Sequence, residues 1–519
     1  MIRDLLHDHP GEHSRFNACI VGAGAAGILL AVELARLGKH VVLLESGGPE
    51  VEAPTQDLYR SEVTESHEHR GIHTGRFRVH GGTTRKWGGQ ILELDETDFS
   101  RRDWVDGSGW PIPKAELQPF YERALELEGL SGVVRDDTAV WRALGKASPV
   151  LPQMQPYFSR WCPEPDFSRL HRQQLEGPAI TVWLHANVVE TVEEDGRVRA
   201  VRCRTLGGQE AIFHADDSIF CLGAIESVRF FLQPRAGGLP WNASGLLGRH
   251  FQDHIDCNAA AVEITDRRRF HDVFDNVYLN GYKYHSKMRL QPSVEWERET
   301  LNVAATMYFV SGLDETLDRT KTTAKKLLRG RVGEVSAGEV LRLTRNLPLL
   351  AAQTTRYGLA HRAYNPPSAQ VWLRVHCEQE PTSESSLSLA DERDALGMLR
   401  TRLDWRISER ECGTIQEFVR QAERALEGMA SLTPDADLMS GDAAFVARCD
   451  DSNHHMGGMR MAASAREGVV DLDLRLHGTR NCYVCSGAVF PTGGFSNPTH
   501  TVLALAVRLA HHLTREDPR

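Results

Sequence analysis

The chain has 519 residues, more than one hydrophobic core ordinarily serves, so two or more intertwined domains are expected. Hydrophobic residues make up 41% and charged residues 25%, a globular composition without low-complexity stretches or a fixed-period repeat. A net charge of −10, from 60 Lys plus Arg against 70 Asp plus Glu, excludes a general affinity for nucleic-acid backbones.

The N-terminal residues, MIRDLLHDHPGEHSRF, lack the apolar segment of an export signal, so a cytoplasmic location is expected. The uncharged stretch Ala18 to Val32 is too short and too glycine-rich to span a bilayer, and no membrane anchor is expected. Residues 17 to 48 then read as strand, glycine turn, helix and strand: NACIV, GAGAAG, ILLAVELARLG and HVVLLE, one βαβ unit. Pro111 and Pro113 lead into a surface helix over PKAELQPFYERALELEGL. From Ile180 strands return, with a hairpin turning at Asp195-Gly196, and DSIFCLGAIESVRFFLQ repeats the strand, glycine turn and helix order.

Alternating segments between Asp256 and Arg448, among them LNVAATMYFV and SAQVWLRVHC, predict a second, mostly antiparallel sheet with one face buried. Within it lies a basic segment, Arg319 to Arg345, read as a solvated helical hairpin or as a lid. The chain closes with NPTHTVLALAVRLAHHL, a helix for which Asn497 is placed as N-cap and Pro498 in the first turn. Ten cysteines are scattered through the chain, several in apolar runs (Cys19, Cys221, Cys257), which suits buried reduced thiols. The one CxxC, Cys482 to Cys485, sits in a buried-strand pattern without a second pair, and no metal site is expected.

Two patterns carry chemistry. Gly22, Gly24 and Gly27 between strand and helix, with Glu45 at the end of the next strand, form a dinucleotide-binding fingerprint. The glycines admit a pyrophosphate to the helix N-terminus and the acid holds ribose hydroxyls, which disfavours NADP and leaves FAD and NAD open. The second pattern is long. VHGGTTRKWGGQ at 79 to 90, GRHFQDH around His250, HHMGGMRM from His454, and NCYVCSGAVFPTGGFSNPTHTVLALA together resemble the glucose-methanol-choline (GMC) oxidoreductase family, most closely its bacterial branch similar to pyranose oxidase and C-glycoside 3-oxidase.

The resemblance implies FAD, held by Gly22, Gly24, Gly27 and Glu45, with Gly81, Gly82 and Thr83 along the cofactor, Val188 beside the adenine and Asn497 at the flavin. It also implies a catalytic pair, His454 and Asn497, and chemistry independently asks for a base where a carbinol loses a hydride. Covalent relatives attach FAD to a histidine where this chain has Lys86, so FAD is expected to be non-covalent.

The expected fold is α/β: a Rossmann-like FAD domain with a parallel sheet from 15–105, 180–255 and 450–519, and a substrate domain from 106–179 and 256–449. The expected function is oxidation of a secondary hydroxyl of a sugar, glycoside or polyol to a carbonyl, with oxygen, a quinone or a redox protein as electron acceptor. HCEQEP at 376 to 381 offers Glu378 and Gln379 as polar contacts for such a ring. The alternatives are a non-sugar alcohol (aromatic, sterol or biosynthetic intermediate) or a non-redox FAD-containing lyase of the same fold.

Overall fold

The computed structural model describes residues 1–11, 15–236, 238–310, 323 and 336–515. Most of the basic segment from Arg319 to Arg345 lies outside them.

The N-terminal βαβ unit forms as its pattern requires. Strand Arg15–Val21 leads through the glycine turn into helix Ala25–Arg36 and strand Val41–Leu44, all with apolar side chains buried in one core. Gly22 adopts φ +104°, and a β-carbon there would stand 2.6 Å from the Cys221 carbonyl oxygen, so only glycine makes this turn without strain. These strands build an eight-stranded sheet that runs Ile2–Asp4, Ile180–Leu184, Val41–Leu44, Arg15–Val21, Glu210–Phe220, Arg197–Arg204, Asn187–Glu194, with Cys482–Val484 also on Glu210–Phe220. Its pairs are parallel except for the two that join the last three strands of that path. The hairpin turns at Asp195 and Gly196, both with positive φ.

A second, nine-stranded sheet contains only antiparallel pairs, with Ile255–Ile264, Gln370–Cys377, Val303–Val310, Tyr282–Leu290 and Met154–Trp161 adjacent in that order. Because side chains alternate along a strand, its two faces differ in chemistry. One face carries Met154, Phe158, Met288, Ala305, Leu373 and Val375, all buried, and packs against helix Glu409–Ala425. The register puts Tyr157 opposite Lys287, Ser159 opposite His285, Arg289 opposite Ala304, and His376 opposite both Ala304 and Asp256. That second face is polar and turns toward the loops of the first sheet.

All ten cysteines are free, nine of them buried. Among the described residues no helix is long and apolar enough to cross a membrane.

Candidate active site

Three helix N-termini converge on one cavity. Helix Ala25–Arg36 follows Gly24, helix Gly223–Leu232 follows Leu222, and helix Thr499–His512 follows Pro498, and none of the three is capped by a side chain. Gly24, Leu222, Gly223, Pro498 and Thr499 all line a cavity of about 240 Å³. Uncapped N-termini present unsatisfied N–H groups and the positive end of the helix dipole, so the cavity favours an anionic ligand. Gly22, Glu45 and Ser46 stand in its wall, as do Gly82, Thr83, His454, His455, Ser486 and Gly487.

The wall is shaped for a close-fitting group. A β-carbon on Gly82, which has φ +57°, would lie 2.7 Å from the Gly24 Cα, so the two glycines bring two backbone segments together beside the cavity. Gly27 does not line the cavity; a β-carbon there would strike the Gly22 carbonyl oxygen at 1.9 Å, which is the packing role of the third glycine. Gly81 stands behind Gly82 with its N–H donated to the Ala23 carbonyl at 3.0 Å. Glu45 is buried and accepts the N–H groups of Ala23 and Gly47 at 2.9 and 2.8 Å. Burial raises its pKa despite those bonds. Val188 lines a small adjoining cavity of about 50 Å³ that shares Gly22, Ser46 and Leu222 with the main one. Of the residues expected for the dinucleotide, Gly22, Gly24, Glu45, Gly82 and Thr83 line the main cavity together with His454, and Val188 lines the adjoining one, whereas Gly27, Gly81 and Asn497 line neither. An elongated dinucleotide with a central pyrophosphate fits this arrangement. Lys86 is exposed and does not line either cavity.

At the far end His454 Nε2 lies 2.9 Å from Asn497 Nδ2. Asn497 does not cap the terminal helix, contrary to the expectation from its position before Pro498; the N-cap position is Pro498, and the amide is turned to the histidine instead. The other ring nitrogen, His454 Nδ1, lies 2.8 Å from His254 Nδ1 and 3.3 Å from His376 Nε2. Burial lowers the pKa of all three histidines, with the neighbouring imidazoles and Lys287 pushing His454 and His376 further down. Three neutral imidazoles result.

His254 and the His454 loop are joined by one carboxylate. Asp253 Oδ1 accepts the backbone N–H of His254 at 2.7 Å and of His454 at 2.9 Å, and its Oδ2 lies 3.2 Å from His69 Nε2. His69 Nδ1 accepts the Ile72 N–H at 3.1 Å, so Nε2 is the protonated nitrogen and donates to Asp253. His455 packs with Phe251 and His69, 3.7 Å from Asp253. Asp253, His254 and His376 were not singled out from sequence, although the QDH of GRHFQDH and the HCEQE segment carry them.

Glu378 and Gln379 do not contact a substrate space. Glu378 is fully buried and binds Arg102 through two bonds of 2.6 and 2.7 Å. Gln379 is also buried; its Oε1 accepts the Asp253 N–H and the Trp405 indole N–H, both at 2.8 Å. Their neighbour His376 lies within the paired strand Gln370–Cys377, on its polar face, whereas Glu378 and Gln379 follow the strand's end and are held by Arg102, Asp253 and Trp405. The polar sheet face instead presents Tyr157 and Lys287. The Tyr157 hydroxyl and His285 Nδ1 are buried without a hydrogen-bond partner among the described residues. Burial lowers the pKa of Lys287 to about 8. A second cavity of about 460 Å³ opens on this face, lined by Gln155, Tyr157, Arg289 and Phe495, the last only two residues before Asn497.

A cofactor cavity fed by three helix dipoles, ending at a neutral histidine and a polar sheet, defines a flavin-dependent oxidoreductase acting on hydroxyl groups. Comparison with known proteins agrees. Residues 381–506 match the GMC oxidoreductase family and residues 15–232 match the FAD binding domain family. The C-terminal part of the chain thus matches the GMC oxidoreductases and the N-terminal part an FAD binding domain, and the protein is an FAD-dependent oxidoreductase acting on alcohols or sugars.

Among curated proteins it is 22% identical to 2-methyl-1,2-propanediol dehydrogenase of Mycolicibacterium austroafricanum, over 96% of this chain and 94% of that one. It is 24% identical to 6'''-hydroxyparomomycin C oxidase of Streptomyces lividus, over 98% and 94%. Among solved structures it resembles pyridoxine 4-oxidase from Mesorbium loti at 17% identity and a TM-score of 0.57, covering 96% of this chain and 98% of that one.

Proposed function

We propose that the enzyme oxidises a secondary hydroxyl of a sugar, glycoside or related polyol to a carbonyl, with His454 as the base and Asn497 beside it. The observation that carries this reading is the placement of the His454–Asn497 pair between the cofactor cavity and the polar face of the second sheet. An aromatic or sterol substrate calls for apolar walls, whereas this face offers a phenol, an ammonium and an imidazole as hydrogen-bonding groups. The substrates named for the two curated relatives, a hydroxylated paromomycin and 2-methyl-1,2-propanediol, support a hydroxylated substrate.

FAD, when bound, accepts a hydride from the carbinol carbon. The chain does the rest. Gly22, Gly24 and Gly27 shape the turn at the first helix N-terminus, which would receive the pyrophosphate, while Glu45 would hold the ribose and Val188 would lie beside the adenine. Gly82 and Thr83, with Gly81 behind them, would hold the middle of the cofactor, and Asn497 would lie near its ring through its contact with His454. The terminal helix aims its N-terminus at the same place and favours negative charge there. His454 Nε2 withdraws the hydroxyl proton, and burial keeps that nitrogen unprotonated at neutral pH. The same reading divides the chain into a cofactor domain of 15–105, 180–255 and 450–519 and a substrate domain of 106–179 and 256–449, FAD being bound without a covalent link. Oxygen or a quinone or redox protein would reoxidise it.

Anaerobic mixing of the yellow holoenzyme with monosaccharides, aryl glycosides, aromatic alcohols and sterols tests the reading. Bleaching by carbohydrates is expected. Bleaching by aromatic alcohols or sterols alone would refute the substrate class and leave the flavin chemistry standing.

A further inference from the structure

We infer that His254 and His376 are positioning residues that hold His454 as its Nδ1–H tautomer, and that His254 receives that proton when His454 Nε2 takes up the substrate hydroxyl proton. The inference rests on His454 being the base.

A neutral imidazole has one N–H and one lone pair, each directed in the ring plane. The Asn497 amide nitrogen, 2.9 Å from His454 Nε2, can only donate, so Nε2 carries the lone pair and Nδ1 the proton. The partners of Nδ1 accommodate the same assignment. The His454 Nδ1–H must find an acceptor at His254 Nδ1, 2.8 Å away, although His254 Nε2 then has no hydrogen-bond partner among the described residues. With Nδ1 taken up by His454, the proton of His254 sits on Nε2 and its Nδ1 presents a lone pair at 2.8 Å. His376 Nδ1 faces Ser452 Oγ at 3.5 Å, which leaves Nε2 as a second, longer acceptor at 3.3 Å. This set of tautomers is consistent with the His454 contacts to Asn497, His254 and His376, and in it the lone pair of His454 lies on Nε2, where the Asn497 amide and a substrate hydroxyl would share it.

The proton balance is closed. As the carbinol C–H bond gives its hydride to bound FAD, the substrate O–H bond breaks and an N–H forms at His454 Nε2. The His454 Nδ1–H then breaks and an N–H forms at His254 Nδ1. His454 ends neutral and His254 ends as an imidazolium. Burial opposes charge on all three rings, but it is least reinforced at His254: Asp253 and Glu378 act there with negative charge, whereas His454 faces Lys287 and His376 faces Lys287 and Arg374. His376 cannot replace His254 as the acceptor, because positive charge adjoins it.

The test reads tautomers directly and needs no substrate. Holoenzyme with histidines labelled by the heavy nitrogen isotope is followed by nitrogen–proton correlation spectra, with His254→Asn, His376→Asn and His454→Gln assigning the three rings. At neutral pH His454 should be protonated at Nδ1 and bare at Nε2, the reverse of the free side chain's preference. On acidification the first imidazolium of the cluster should be His254. In His254→Asn the amide oxygen still accepts, so His454 keeps its tautomer but becomes the first ring of the cluster to charge. In His254→Leu the nearer acceptor is gone, leaving only the longer His376 contact, so with the Asn497 amide turned to offer its oxygen a share of Nε2–H absent from the parent should appear.

His454 found as Nε2–H in the parent enzyme, or charging before His254, would overturn the inference. If His254→Leu loses its flavin, the parent and His254→Asn spectra decide alone. Failure of the base reading shows separately, as undiminished flavin bleaching by a responsive carbohydrate in His454→Ala.

Discussion

Asn497 and His454, forty-three residues apart in the chain, meet at 2.9 Å, and the amide that sequence position assigns to a helix cap is spent on a ring nitrogen. This contact ties the last helix of the chain to the loop that Asp253 holds by the His254 and His454 N–H groups. The cofactor cavity and the polar sheet meet there.

His454→Ala should slow anaerobic flavin reduction by roughly two to four powers of ten, the usual scale of general-base catalysis, with FAD content near that of the parent. Only the neutral ring accepts a proton, and burial lowers its pKa, so activity should persist as pH falls and fail only below the ordinary histidine range. An acid limb at or above 6.5, the unperturbed value, would contradict that environment.

Asn497→Ala should separate catalysis from stability. Because its side chain caps nothing, the unfolding midpoint should move little, where a lost cap would cost about 1 kcal/mol. Flavin reduction should slow by about tenfold or more, on the scale of removing a positioned hydrogen-bonding group. A large stability loss with an unchanged rate would return this residue to a purely structural role.

FAD should be released by acid or heat precipitation. The loop position where covalent relatives carry histidine is Lys86, which is exposed and away from the cavity. Yellow colour held in the pellet after precipitation would show a covalent link elsewhere.

Tyr157→Phe removes a buried hydroxyl that has no partner among the described residues. Without a role in binding, its loss should be neutral or stabilising, since an unpaired buried polar group costs about 1–3 kcal/mol. The expected result is unchanged or higher thermal stability together with a KM for the responsive carbohydrate raised roughly tenfold, the equivalent of about 1.4 kcal/mol. An unchanged KM would remove the phenol from the binding face.

Glu378→Gln should be among the most destabilising single changes, costing about 3–5 kcal/mol in denaturant unfolding, because it leaves Arg102 buried without its charge partner. Burial alone would raise the Glu378 pKa, but the Arg102 charge and hydrogen bonds outweigh it and hold the group below the usual carboxylate range. A depressed carboxylate stabilises the fold above its unfolded pKa and loses that contribution as pH falls through the folded value. The parent should therefore lose stability on acidification below about pH 4.3, the unfolded value, and the variant should show a weaker dependence. Equal acid dependence in both would refute the assignment.

How far the sequence carries depends on the range of the interactions involved. Gly22, Gly24, Gly27 and Glu45 announce the cofactor half because a phosphate-binding turn is built within one local βαβ segment, and backbone sterics at Gly22 leave little choice of residue. Parallel and antiparallel sheets were likewise legible in continuous apolar runs as against alternating ones. The partners of His454 were not. His254 and Asp253 lie 200 and 201 residues from His454 and His376 lies 78 away, and they converge only when Ile255–Ile264 and Gln370–Cys377 pair in register. Strand pairing fixes the face of His376, whereas Glu378 lies beyond the last paired residue and is drawn to Arg102, which is distant in the chain. Composition at 376 to 381 shows both as polar, and only their long-range partners decide which one joins the histidine cluster and which one forms a buried ion pair.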